Sequence, residues 1–146
     1  GLGQEGLPYA TNYTSLQFII PGLADNATGS FESTDITPSD GAAKTSIGLV
    51  ILYKDEESTA CVLDTDIIAQ VRANTGQAYD SGSNTLVLRG IDGSTTPAVT
   101  YSDGMKVAIA PAITVTSGTA LSYKISFANQ SSGSKEGRIH GVAMTY

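Results

Sequence analysis

Along most of this chain apolar and polar residues alternate with a period of two, the period of a strand with one buried face. Residues 119–127 show it best. Leu121, Tyr123, Ile125 and Phe127 fall on one side, and Ala120, Ser122, Lys124 and Ser126 on the other. The pattern predicts a half-buried strand whose first set faces the core. Residues 15–20 repeat it with Leu16, Phe18 and Ile20, and residues 85–89 with Leu86 and Leu88 opposite Val87. The C-terminal stretch alternates less cleanly: Ile139, Gly141, Ala143 and Thr145 on one face, and Arg138, His140, Val142, Met144 and Tyr146 on the other.

Two runs are apolar on both faces, residues 46–53 and 105–115. They predict central strands covered on two sides. Pro111 interrupts the second run, and its missing N–H predicts a bulge, a bend or an edge there. Residues 66–71, DIIAQV, are short and carry paired Ile, which favours a strand over a short helix.

Turn chemistry separates these runs at intervals of about ten residues. The signals start at Pro21, Thr37, Lys54, Ala73, Asp80, Ile91, Ser102, Thr116 and Asn129, and most of the glycines sit in them. Nine or ten short strands joined by Gly-bearing turns predict an all-β fold, a single antiparallel β-sandwich of jelly-roll or immunoglobulin-like kind. A chain with no Trp and one Cys has no antibody-type Cys, Trp, Cys core.

The 146 residues suit one domain. Residues 1–14 lack periodicity and hold three Gly and a Pro, so they are expected to form an extended N-terminal arm before a sandwich domain at 15–146. Leu2, Leu7 and Tyr9 are its apolar docking groups, and Pro8 keeps Leu7 extended. The arm is expected to contact a neighbouring subunit.

Charge narrows the partners. Charged residues are only 15% of the chain and the net charge is −6, with the eight Lys and Arg scattered. A nucleic-acid partner needs a basic stripe to displace counterions, and a polybasic membrane anchor needs a cluster; neither exists. No apolar run approaches the roughly 18 residues of a spanning helix, so no membrane insertion is expected. A surface rich in Ser and Thr with little charge is common on virion and extracellular proteins.

The reactive side chains form no catalytic constellation. His140 is the single histidine, which removes a multi-histidine zinc site, and no nucleophile elbow accompanies it. Cys61, the single cysteine, lies in an alternating stretch without nearby Lys or Arg and reads as a buried, inert thiol. Glu56 and Glu57 are adjacent in a turn, while Glu32 lies on a strand and could face a groove. Asp64, Asp66, Asp80, Asp92 and Asp103 sit at strand ends and Gly-bearing turns. Calcium could use such oxygens, but Asp bonding its own backbone is the plainer expectation. No metal, cofactor or catalytic residue is therefore expected.

Asn12, Asn26 and Asn129 each open an N-x-Ser/Thr sequon, a glycan acceptor if the protein passes through a glycosylating compartment. Tyr79, Tyr101 and Asp103, near turns, are the candidates for a ligand loop should the domain be a carbohydrate-binding or adhesin module. In size, low charge and arm-before-body plan the chain is similar to lambda-type capsid decoration proteins, and residues 40–52 share their strand rhythm. No motif diagnostic of them, or of filament subunits with exchanged strands, is present. The leading expectation is a non-enzymatic, self-assembling structural protein on a virion surface, with an extracellular filament subunit as the alternative. Its partners would be copies of itself or another structural protein of the same assembly.

Overall fold

A computed structural model describes residues 28–79, 83–98, 100–130 and 133–146. The arm residues Leu2, Leu7, Pro8 and Tyr9, the 15–20 segment, the sequons at Asn12 and Asn26, and Asp80 lie outside the described residues.

The described chain is all-β. Its strands are β1 (Gly29–Glu32), β2 (Lys44–Asp55), β3 (Ile67–Arg72), β4 (Arg89–Gly90), β5 (Met105–Gly118), β6 (Ser122–Phe127) and β7 (Gly137–Thr145). They form two antiparallel sheets in a sandwich-like arrangement, ordered β1-β6-β3 and β4-β5-β2-β7. No helix among the described residues is long and apolar enough to cross a membrane.

The doubly apolar runs became the two longest strands, β2 and β5, which pair along most of their length. On β2, Ile47, Leu49, Ile51 and Tyr53 are sealed in the core. They meet Ile67, Ala69 and Val71 of β3, Leu121 and Ile125 from the β6 segment, and Leu86 and Leu88. The 66–71 run is a strand, as its paired Ile predict. Residues 85–89 keep the expected faces, with Leu86 and Leu88 buried and Val87 exposed. Only Thr85 makes a bridge, to Gln70, before β4 begins at Arg89.

Pro111 does mark a bulge. Ile47 stands opposite Ile113 and Leu49 opposite Ala110, so β5 carries one residue more than β2 at Pro111–Ala112. Gly48 fills the crowded spot across from it: a Cβ there would stand 2.9 Å from the Ala110 oxygen and from the Ala112 nitrogen. The Thr116 turn signal falls inside β5, which continues to Gly118 with two extra residues against Lys44 and Ser46.

Two face assignments differ from the sequence pattern. On β7, Tyr53 pairs with Ile139 and Leu52 with Gly141, leaving His140 as an extra residue. This bulge reverses the alternation. Ile139, Val142 and Met144 therefore share the inner face, opposite Tyr53, Ile51 and Leu49. On β6, Ser122 is fully buried although its neighbours on that face, Lys124 and Ser126, are half-buried. The segment after β3 folds back over it, where the Tyr79 hydroxyl donates to Ser122 Oγ at 2.6 Å, and Arg72, the last residue of β3 and the partner of Ser122 across the ladder, donates from Nε to the same oxygen at 3.2 Å.

Among the described residues the outer face of the larger sheet stays open. Val50 shares a rung with Ile109 and Ala143, and Leu52 with Val107 and Gly141. Ile109 is exposed, and Val50, Leu52 and Val107 are half-buried. The expected cover on both sides of these strands is thus present on one side only among the described residues.

Candidate interaction site at the open edge of the sheets

Among the described residues one side of the sandwich is unfinished. β1 ends the small sheet and β7 ends the large one, and neither has a second strand partner among the described residues. β3, at the far end of the small sheet, packs across β2 and β5. The β1 and β6 end therefore overhangs β7. With four residues, β1 is too short to cover the nine of β7.

The gap is an apolar cleft of about 470 Å3, within the range of binding clefts. Its roof is Phe31 of β1 with Tyr123 and Phe127 of β6; its floor is Ile139, His140 and Val142 of β7. Phe31 sits on the rung of Ile125, and paired residues share a face, so its ring lies between those of Tyr123 and Phe127. It meets Tyr123 edge-on, with centroids 6.4 Å apart and planes at 85°. It meets Phe127 at 6.3 Å in a tilted pose. Gly137 closes one end, where a Cβ would stand 3.1 Å from Cys61 Sγ and 3.5 Å from the Phe127 ring.

The lining carries no carboxylate, thiol or aliphatic hydroxyl. Its charged member, Arg138, is tied to Glu136 at 3.3 Å and Glu56 at 3.6 Å. Glu32 pairs in register with Lys124, one residue on from Phe31, and so points away from the cleft. What the cleft offers is aromatic and aliphatic surface beside two strand edges that are free among the described residues. That chemistry suits an extended peptide, whose backbone can extend a ladder while alternate side chains enter the gap.

The acidic residues singled out from sequence hold the chain together. Asp64 takes a left-handed backbone (φ 66) and accepts from the Leu88 N–H at 2.9 Å while pairing with Arg89. Asp66 is sealed; it pairs with Lys135 at 2.7 Å and accepts from the Val62 N–H at 2.7 Å and the Asn129 amide at 3.1 Å. Burial works against its ionisation, but Lys135, Val62 and Asn129 outweigh it and hold the carboxyl below its ordinary range. Asp92 accepts from Ser94 and from the Ala98 N–H, which lowers its carboxyl too. Asp103, at φ 64, opens the turn into β5 with Gly104. Among the described residues no three His, Cys, Asp or Glu groups converge as a metal site would need.

Cys61 is buried, and burial first, then the charge of Asp55, pushes its thiol up to about 12. Tyr79 is buried and its ring lies under Arg72 at 4.3 Å, whereas Tyr101 is exposed. Asn129 is exposed at φ 58, with its amide engaged by Asp66 and the Thr65 carbonyl.

Sequence reasoning missed Phe31 and the cleft. A lone Phe between Ser30 and Glu32 has no periodic context, and the His140 bulge hid the joint inner face of Ile139 and Val142. It also missed the buried Gln130, whose side chain bonds the Asp66 carbonyl at 3.2 Å and the Gly137 N–H at 2.9 Å. Comparisons of the chain with protein-family models, with curated proteins and with solved structures found no match.

Proposed function

We propose that this protein is a non-enzymatic structural subunit that assembles with copies of itself or with another structural protein of the same assembly, at a virion surface or outside the cell. On this reading its two sheets are the halves of a jelly-roll or immunoglobulin-like sandwich, and the N-terminal arm reaches a neighbour. The observation that carries the proposal is the unfinished side: two edge strands flank an aromatic cleft that one chain's described residues leave open. Free strand edges are a liability in a monomer, and added strands turn them into contacts. The outer face of β2 and β5, with Ile109 exposed beside Val50 and Leu52, offers a second apolar surface for packing. The low charge of the chain suits close approach of identical copies.

A virion surface subunit of decoration type is the leading form. The filament alternative gains from the cleft, because a strand-accepting gap is what linear strand exchange requires. The test is light scattering across a concentration series, with electron microscopy of the same samples. Ordered oligomers, shells or fibres are expected; a monomer at every concentration overturns the proposal.

A further inference from the structure

We infer that the cleft between β1 and β7 is the seat of residues 15–20 from a second copy of this chain, entering as a β-strand along the free edge of β7. This rests on the self-assembly reading and names the contact that performs it. Leu16, Phe18 and Ile20 would point into the cleft, against Phe31, Tyr123, Phe127, Ile139 and Val142.

Four observations support the assignment. Both walls of the cleft carry apolar side chains, with His140 and Arg138 beside them on the floor, and the described residues leave Phe31 of the aromatic roof 39% exposed. Among the described residues β7 has a free edge along its nine residues, and a six-residue strand spans about 20 Å, so the edge is long enough to take it. Residues 15–20 carry a period-two apolar stripe of three large side chains, the pattern that fills alternate sites beside a ladder.

The fourth observation is where the chain resumes. The described residues begin at Thr28, and β1 starts at Gly29 beside Phe127, at the cleft itself. A donor segment is therefore tethered next to an acceptor in every copy, so each subunit can give and receive. Its connection to β1, residues 21–28, opens with Pro21-Gly22. That is longer than the two to five residues of a tight hairpin. Such a link suits a strand carried to a neighbour better than one folded back beside its own β1.

The test uses full-length chains carrying two tags. One chain has Phe18→Cys and the other Val142→Cys, and they are mixed and oxidised; the buried Cys61 stays in place as an internal control. A disulfide joining the two tags is expected, and a chain bearing both substitutions should give a ladder of linked subunits. If the doubly substituted chain only closes on itself, even when concentrated, the segment belongs to its own domain and the inference is overturned. If subunits assemble but no link forms, the cleft assignment fails while the self-assembly reading stands. If nothing assembles at any concentration, the self-assembly reading fails and takes this inference with it. A second measurement does not depend on the cysteines: a peptide of residues 14–21 should block assembly of the unmodified chain. The same peptide with Phe18→Asp should need roughly thirtyfold more to do so, as expected when a buried aromatic anchor is lost. Equal potency of the two peptides would count against the cleft.

Discussion

Phe31 and Ile125 face each other across the β1–β6 ladder, on the same rung and the same face, yet Ile125 is fully sealed and Phe31 is 39% exposed. The difference lies in what stands beyond them. Ile125 belongs to the closed core cluster, while Phe31 stands over the cleft. Truncation should separate the two roles. Ile125→Ala should cost about 2–5 kcal/mol of folding stability, as for other buried aliphatics. Phe31→Ala should cost only about 1 kcal/mol, because much of its ring is already wet, and should instead impair assembly. Urea denaturation and light scattering on both variants check this; a larger stability loss at Phe31 than at Ile125 would contradict it.

Acid should weaken the fold through Asp66. Its carboxyl is held below the ordinary range in the folded chain, so the unfolded chain takes up the proton first as pH falls. The stability it contributes is fully present above the unfolded value near about 4 and is lost as pH drops through that range towards the folded value. Asp92 and Asp40, also lowered, act with the same sign at the surface. Urea unfolding from pH 7 to pH 2.5 should show the loss. Asp66→Asn should flatten part of the slope and cost about 3 kcal/mol at pH 7, the low end for a broken buried pair, since Lys135 keeps some contact with water. An unchanged slope would mean that Asp66 does not titrate with folding.

The alternation of residues revealed β6 and, less cleanly, β7, and the doubly apolar runs revealed β2 and β5 with much of the core, because a period of two survives wherever a single face is buried. It failed where an extra residue or a local cover intervened. His140 flips the phase of β7, and nothing in Arg138-Ile139-His140-Gly141 announces it. Ser122 reads as surface from its neighbours, but Tyr79 and Arg72, 43 and 50 residues away, close over it. The cleft was illegible for a related reason: it depends on sheet order, which places β1 and β7 at the same open side, and order is set by long-range pairing. Asp64 and Asp66 were recognisable as turn residues, but their partners Arg89 and Lys135 were not.

The thiol of Cys61 should be silent in the folded protein. It is buried, and its ionisation is pushed up to about 12, so thiolate is scarce at pH 8. A disulfide-exchange reagent should label it only after denaturant is added, at a rate that follows global unfolding. Rapid labelling of the native chain would show that the Gly137 end of the cleft opens.

Chelation should leave the melting temperature unchanged. The Asp64 carboxylate is committed to the Leu88 N–H and Arg89, Asp66 to Lys135, and Asp92 to its own turn, so none waits for a cation. Thermal scans with excess calcium and with chelator should superimpose. A shift of several degrees would point to a site built from other oxygens.

Two glycines should respond to the same substitution for different reasons. Gly118, at the end of β5, lies against the Ala73 backbone: an added Cβ would overlap the Ala73 carbonyl oxygen and stand 2.7 Å from its carbon. That carbonyl cannot easily give way, because it also accepts from the Ala120 N–H at 3.0 Å. Gly118→Ala should therefore push the end of β5 away from the segment after β3, costing about 3 kcal/mol as overpacking does. Gly93 has open space around it but a φ of +79. Gly93→Ala should cost about 1–2 kcal/mol, through the left-handed backbone alone. Replacing Gly93 with Asn, which tolerates that region, should recover much of its loss, whereas Gly118→Asn should be no better than Gly118→Ala. Urea midpoints for the four variants decide it, and rescue of Gly118 by Asn would show that backbone conformation rather than contact with Ala73 governs that position.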